Sequence, residues 1–281
     1  METGKDRYCF KIGNFECMAI SDTKSPMELD RLFPAIEPQQ MEQLLRKYNV
    51  PMGDIMEVMC LLIKTGKHTI LVDTGWGVGE QPNSGCLMPI LRANGIQPPD
   101  VDTVIITHGH PDHIGGNTDE KGKALFPNAH YVMHKKEWEF WTSKPELTIT
   151  DPKMIAYVQK NLVLLKDHFE QVDDKTEIVP GIKFVNAPGH SPYHCMLEIS
   201  SSTERLLYIS DLMHHPIQVP CPDCYVFGDF NPKQAIRTRR AVIGQVASTG
   251  ILIFACHFTF PGLGYIVRDG DVLLWQPIQA V

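Results

Sequence analysis

Five times along this chain an apolar, strand-like stretch runs into an aspartate or a histidine. Thr69-Ile70-Leu71-Val72 leads to Asp73, and Val104-Ile105-Ile106-Thr107 to His108. Ile182-Lys183-Phe184-Val185 leads through Ala187-Pro188-Gly189 to His190. Leu206-Leu207-Tyr208-Ile209-Ser210 ends at Asp211, and Ile251-Leu252-Ile253-Phe254-Ala255-Cys256 at His257. Buried strands that deliver metal-binding side chains from the same kind of end imply a site along one rim of a sheet sandwich. Strand ends are held by a rigid frame, as a metal site requires.

Thr107-His108-Gly109-His110-Pro111-Asp112-His113 places four potential ligands within six residues. No helix or strand aims all four one way. On a tight loop, which the Gly109 and Pro111 spacers suit, His108 and His110 share one ion while Asp112 and His113 turn toward a second.

The rest of the chain reads as alternating strands and helices. Residues 7–21 form a strand pair around Gly13-Asn14, and 56–63 and 68–72 a hairpin. Further strands are expected at 101–107, 129–133, 182–186, 195–199, 206–210 and 251–255, with a closing hairpin over 264–276 around Asp269-Gly270. Helices are expected at 41–48, 86–94, 134–141, 153–169 (opened by the cap and N1 proline Asp151-Pro152) and 232–248. No Ser/Gly linker, charge block or short repeat divides residues 1–281, so a single domain is expected.

A formal charge of −7 and a pI near 5.9 disfavour nucleic acid or an anionic membrane surface as partner. No apolar run reaches the roughly 18–20 residues that span a bilayer. Residues 1–7 pass straight into a strand-like stretch without the apolar core of a signal peptide, so a cytoplasmic protein is expected. Of eight cysteines, Cys9, Cys17, Cys60, Cys195 and Cys256 read as small buried hydrophobes. Cys221-Pro222-Asp223-Cys224 has redox or zinc spacing, but no second such pair completes a four-thiolate site, and it is read as a reduced turn. Arg237, Arg239 and Arg240 read as the solvated face of a helix.

The His-x-His-x-Asp-His loop, the later Pro-Gly-His, the Asp after a buried strand and the C-terminal His resemble the metallo-β-lactamase-fold hydrolases. The likeness runs from Leu71-Val72-Asp73-Thr74-Gly75 to the end. It implies an α/β fold, a four-layer αβ/βα metallo-β-lactamase sandwich with a dinuclear centre on its rim. By position, His108, His110 and His190 would bind one metal, Asp112, His113 and His257 the other, and Asp211 would bridge. Asp73 would support the ligand loop, and His194 is read as a support of the centre rather than a ligand.

Phe126-Pro127-Asn128-Ala129, Phe140-Trp141-Thr142-Ser143-Lys144, Phe260-Pro261-Gly262-Leu263-Gly264 and Asp211-Leu212-Met213-His214 resemble the methyl parathion hydrolase-like branch, which is related to N-acyl-homoserine lactonases. His214 stands where the best-known lactonases carry a tyrosine. Relatives in this branch are often dimers, so the resemblance allows a homodimer. From the resemblance and their loop-proximal positions, Trp141 and Phe230 are taken as substrate-pocket wall.

Five histidines and two carboxylates without a thiolate suit Zn²⁺, with Mn²⁺, Fe²⁺ or Co²⁺ as alternatives. Two divalent ions bridged by hydroxide keep a cationic centre that stabilises a developing oxyanion. The expected activity is therefore hydrolysis of an ester, lactone or phosphotriester of a largely apolar small molecule. Asp112 is the expected proton shuttle and His214 the expected hydrogen-bond donor. Three readings compete: a glyoxalase-II-like thioesterase, a mononuclear iron persulfide or thiol dioxygenase, and a catalytically silent binding module.

Overall fold

The computed structural model describes residues 3–4, 6–53, 55–143 and 151–279. Lys144, part of one family-like segment, lies outside them. Among the described residues the chain forms two sheets whose strands lie in chain order. The first comprises β1 (Thr3–Gly4), β2 (Arg7–Ile12), β3 (Phe15–Pro26), β4 (Ile55–Lys64), β5 (Thr69–Val72), β6 (Thr103–Ile106), β7 (His130–His134) and β8 (Phe169–Val172). The second comprises β9 (Glu177–Val179), β10 (Ile182–Asn186), β11 (Cys195–Ser201), β12 (Glu204–Tyr208), β13 (Leu252–Phe254), β14 (Leu263–Asp269) and β15 (Val272–Pro277).

Neighbours from β1 to β5 are antiparallel, and those from β5 to β8 are parallel. In the second sheet β12 and β13 are the parallel pair. A parallel neighbour needs a crossover, and each crossover here carries a helix. Two helices, α1 (Leu29–Leu32) and α2 (Pro38–Lys47), lie between β3 and β4. The crossover helices are α3 (Leu87–Ala93), α4 (Pro111–Ile114), α5 (Lys135–Thr142), α6 (Pro152–Asn161) and, before β13, α7 (Pro232–Val246).

Strand periodicity sorts the apolar residues into layers. Leu61, Ile63, Ile70, Val72 and Ile105 of the first sheet meet Phe184, Leu197, Ile199, Leu206 and Tyr208 of the second in a shared core. The alternate residues Cys60, Leu62, Leu71, Val104 and Ile106 face outward onto Leu91, Trp138, Trp141 and Val158 of the helices. On the far side Met196, Leu207 and Ile253 are covered by Val242, Ile243 and Val246 of α7. Helix, sheet, sheet, helix is the four-layer sandwich expected from the sequence.

The helix expected over 153–169 stops at Asn161 and continues as 3₁₀ turns over Val163–His168, after which β8 begins. Buried Asn161 explains the break, since its carbonyl accepts from Asn117 Nδ2 at 3.1 Å and its side-chain oxygen from Thr118 at 2.7 Å. β8 and β9 were not anticipated, being four and three residues long with polar side chains exposed.

The reading of Arg239 as part of a solvated face is overturned. Its side chain is fully buried, and its guanidinium donates to the carbonyls of Leu212, Pro222 and Cys224 at 2.8, 2.8 and 3.2 Å. Arg237 and Arg240 stay outside on the same helix.

Candidate metal centre

The rim of the sandwich where β5, β6, β10, β12 and β13 end gathers the side chains singled out from the sequence. Asp73 follows β5 with φ of +57°, an unusual conformation outside glycine that its contacts hold in place. Its carboxylate accepts from the Thr107 amide at 2.9 Å, the Thr107 hydroxyl at 2.9 Å and the Tyr208 hydroxyl at 2.9 Å, and lies 2.8 Å from His113 Nδ1. Asp73 thus ties the His108–His113 loop to the second sheet.

Asp211, after β12, is the hub. Its Oδ1 lies 2.9 Å from His113 Nε2 and 3.1 Å from His257 Nε2, and its Oδ2 lies 3.1 Å from His190 Nε2 and 3.7 Å from His108 Nε2. His110 Nδ1 is 2.8 Å from His190 Nε2. Donor atoms of His108, His110, His190 and Asp211 lie within 4.8 Å of one another, as do those of His113, Asp211, Cys256 and His257. Asp112 Oδ2 stands 3.6 Å from both His113 Nε2 and His257 Nε2 and is the more exposed carboxylate.

The residues fit metal ions. Ring nitrogens turned away from the centre are occupied: His113 Nδ1 by Asp73, His190 Nδ1 by Asp229 at 3.1 Å, His257 Nδ1 by the Glu57 carbonyl at 2.8 Å and His108 Nδ1 by the Thr107 hydroxyl at 3.2 Å. Such outer bonds set the tautomer of a metal ligand and leave Nε2 free to coordinate. Buried His108 Nε2 and His113 Nε2 have no aligned hydrogen bond, although carboxylate oxygens are close. Burial pushes His108 and His110 well below their ordinary pKa. Burial alone would raise Asp211, but His113, His257, His108 and His190 hold it well below the usual carboxylate range. Burial would lower His113, His190 and His257 too, but Asp211 and, beside His257, Cys256 raise them, so a divalent ion bound there would displace their protons.

Three side chains meet surroundings that the sequence did not show. Cys256, read as packing, is fully buried but puts its sulfur 3.7 Å from Asp211 Oδ1, so a thiol adjoins a donor set expected to lack one. Trp141 is buried, with its ring 5.4 Å from His110 and its Nε1 donating to Glu137 at 2.6 Å. It backs the histidine loop, and a Cβ at Gly109 would come within 2.6 Å of its ring, which is why glycine stands between His108 and His110. His214 stacks on His257 at 4.8 Å, with Nε2 3.1 Å from Asp211 Oδ2. Burial holds its ring near a pKa of about 4, hence neutral. Its buried Nδ1 has no hydrogen-bond partner.

Phe230 is exposed, its ring 5.4 Å from Phe140 and its amide bonded to the His190 carbonyl. His194 bonds the Ala187 carbonyl through Nδ1 at 3.0 Å and accepts the Asp211 amide through Nε2 at 3.1 Å. Both its nitrogens are committed to protein, so it positions Asp211 and is not free to ligate.

Sequence reasoning missed Glu137 and Asp229. Buried Glu137 accepts from Ser191 Oγ at 2.6 Å, Tyr193 N at 3.1 Å and Gly109 N at 3.4 Å, so one carboxylate joins the His108–His110 loop to the His190 loop. The available signal was an acid one turn from Trp141 on the apolar face of a helix. Asp229 joins His190 to Arg239, 3.5 Å away, and carried no local signal.

Residues 54–257 match the model of the metallo-beta-lactamase superfamily, and the chain belongs to that superfamily. An N-acyl homoserine lactonase of Bacillus thuringiensis is 27% identical over 224 residues, 72% of this chain and 81% of the relative. Among solved structures, AidC, a dizinc quorum-quenching lactonase in complex with a product, has a TM-score of 0.89 at 27% identity and covers 98% of both chains. The hydrolase AbOPH has the same TM-score at 29% identity over the full length of both. With this family, these relatives and this site, the chain is a metal-dependent hydrolase. No helix among the described residues is long and apolar enough to cross a membrane.

Proposed function

We propose that the chain is a dinuclear hydrolase of small, largely apolar esters, with lactones such as N-acyl homoserine lactones foremost and phosphotriesters as a secondary class. His108, His110 and His190 would hold one ion, Asp112, His113 and His257 the other, and Asp211 would bridge. The supporting observation is the convergence of His108, His113, His190 and His257 on the two oxygens of Asp211, with His110 against His190 and Asp112 beside His113 and His257. Zinc is the metal we favour, since imidazole and carboxylate donors suit it and AidC is described as dizinc. When bound, two divalent ions would polarise a carbonyl oxygen and lower the pKa of water toward neutrality.

The protein's own part is positional. Asp73, Asp229 and the Glu57 carbonyl aim His113, His190 and His257, while His194 and His214 hold Asp211 by its amide and its Oδ2. Asp112, the least enclosed acid, would move a proton to the leaving oxygen. Phe230, with exposed Phe227 and Tyr193, would receive the apolar part of the substrate. We take residues 1–281 to act as one cytoplasmic domain, with a homodimer as the assembly to test by sedimentation.

The test is a panel of N-acyl homoserine lactones, aryl esters, phosphotriesters and thioesters given to metal-replete protein, with His108→Ala as the blank. The highest kcat/KM should fall on a lactone and vanish in the blank. Activity persisting in that variant would remove the metal mechanism, and a preference for thioesters would move the reaction class.

A further inference from the structure

Residues 221–224 carry a pair of thiols that hydrolysis does not use. The Cys224 amide donates to the Cys221 carbonyl at 3.0 Å, closing a turn around Pro222-Asp223. A β-turn brings its end Cα atoms within about 7 Å, the upper end of the span a disulfide bridges. This turn is held without help from sulfur. The Cys224 carbonyl accepts from Gln218 Nε2 at 2.7 Å and Arg239 Nη1 at 3.2 Å, and the Pro222 carbonyl from Arg239 Nη1 at 2.8 Å. The turn that carries both cysteines is therefore braced by a buried arginine and an amide.

Their surroundings differ in the way an attacking and a resolving thiol differ. Cys221 is half-buried and Cys224 is buried. The Cys224 thiol donates to the Cys221 sulfur, the Tyr48 hydroxyl donates as well, and Lys47 lies near. Against partial burial and the Asp223 charge, these draw Cys221 down to about 7 while Cys224 is raised. Cys86 is the more exposed thiol, yet burial and Asp22 raise it. Among the described residues, neither Cys221 nor Cys224 joins a group of side chains able to hold an ion.

We propose that Cys221 and Cys224 are a dithiol–disulfide modification site that closes under small-molecule disulfides of the oxidised-glutathione kind. The Cys221 thiolate attacks one sulfur of the disulfide, which releases one thiol and leaves a mixed disulfide on Cys221. Cys224 then gives up its proton and attacks the Cys221 sulfur, expelling the second thiol. The pair loses two electrons and two protons, and the small disulfide gains both.

Reduced, metal-loaded protein is incubated with oxidised glutathione near pH 7, quenched with an alkylating reagent and mapped by mass spectrometry. The wild-type peptide spanning both cysteines should lose two hydrogens and accept the alkylating group only after reduction. Cys221 should react on the order of tenfold faster than Cys86, since thiolate fraction outweighs exposure. Cys224→Ser should stop at a glutathione adduct on Cys221, and Cys221→Ser should leave Cys224 unmodified. A persistent wild-type adduct on Cys221, or two freely alkylated thiols beside a modified Cys86, would overturn the proposal. The wild-type measurement decides even if a variant fails to fold.

Discussion

At the residue scale, the centre depends on atoms that would never touch an ion. His214 is the sharpest case, with Nε2 against Asp211, ring flat on His257 and Nδ1 unpartnered. Losing a side chain that orients a ligand typically weakens metal affinity about 10–100-fold. His214→Ala should therefore lose affinity and activity together, measured by competition with a chromophoric chelator. Full metal affinity with a reduced kcat would instead support the donor role expected from its position in the chain.

At the element scale, two segments far apart in sequence meet at His215. Its Nε2 bonds the Met52 carbonyl at 3.0 Å and its Nδ1 accepts the Ile217 amide at 3.2 Å, tying the segment before β4 to the one after β12. Burial lowers His215 from 6.5 to about 4, so the folded state favours the neutral ring. A histidine depressed in this way binds fewer protons folded than unfolded. Its contribution is complete above about pH 6.5 and is lost as pH falls toward 4. Between pH 7 and pH 5 the loss is about 2 kcal/mol. His215→Gln, which offers an amide without a titrating ring, should show a shallower fall over that interval in urea denaturation at fixed metal content. Equal falls in the two proteins would rule out this linkage.

At the scale of the whole molecule, the centre clamps the two sheets together. His108 and His113 follow β6, whereas His190, Asp211 and His257 follow strands of the second sheet. Ions bound between them stabilise the fold by mass action, about 4 kcal/mol when free metal exceeds its Kd a thousandfold. For a chain of this size that corresponds to about 10 °C in Tm. Chelation should lower Tm by that order, and added zinc should restore it in a scanning melt. A melting point indifferent to chelator would show that the sheets hold without the ions.

Much of this could be read from the chain alone because its signals are local. Alternation within a strand decides which face is buried, and polar side chains that end buried strands stand out, so the ligand candidates His108, His190, Asp211 and His257 and the supporting Asp73 announce themselves one by one. The Gly-and-Pro-spaced loop over residues 107–113 announces two ions in the same way. Tertiary structure alone decided which partners complete them. Glu137 comes from a helix to brace the loop after His190 and Asp229 from a loop to brace His190 itself, Cys256 turns its sulfur toward Asp211, and Arg239 is drawn inside by three carbonyls and a carboxylate. The physical reason is that a buried charge is tolerated only where its hydrogen-bonding partners converge. Those partners are set by the packing of distant segments, which no local pattern encodes.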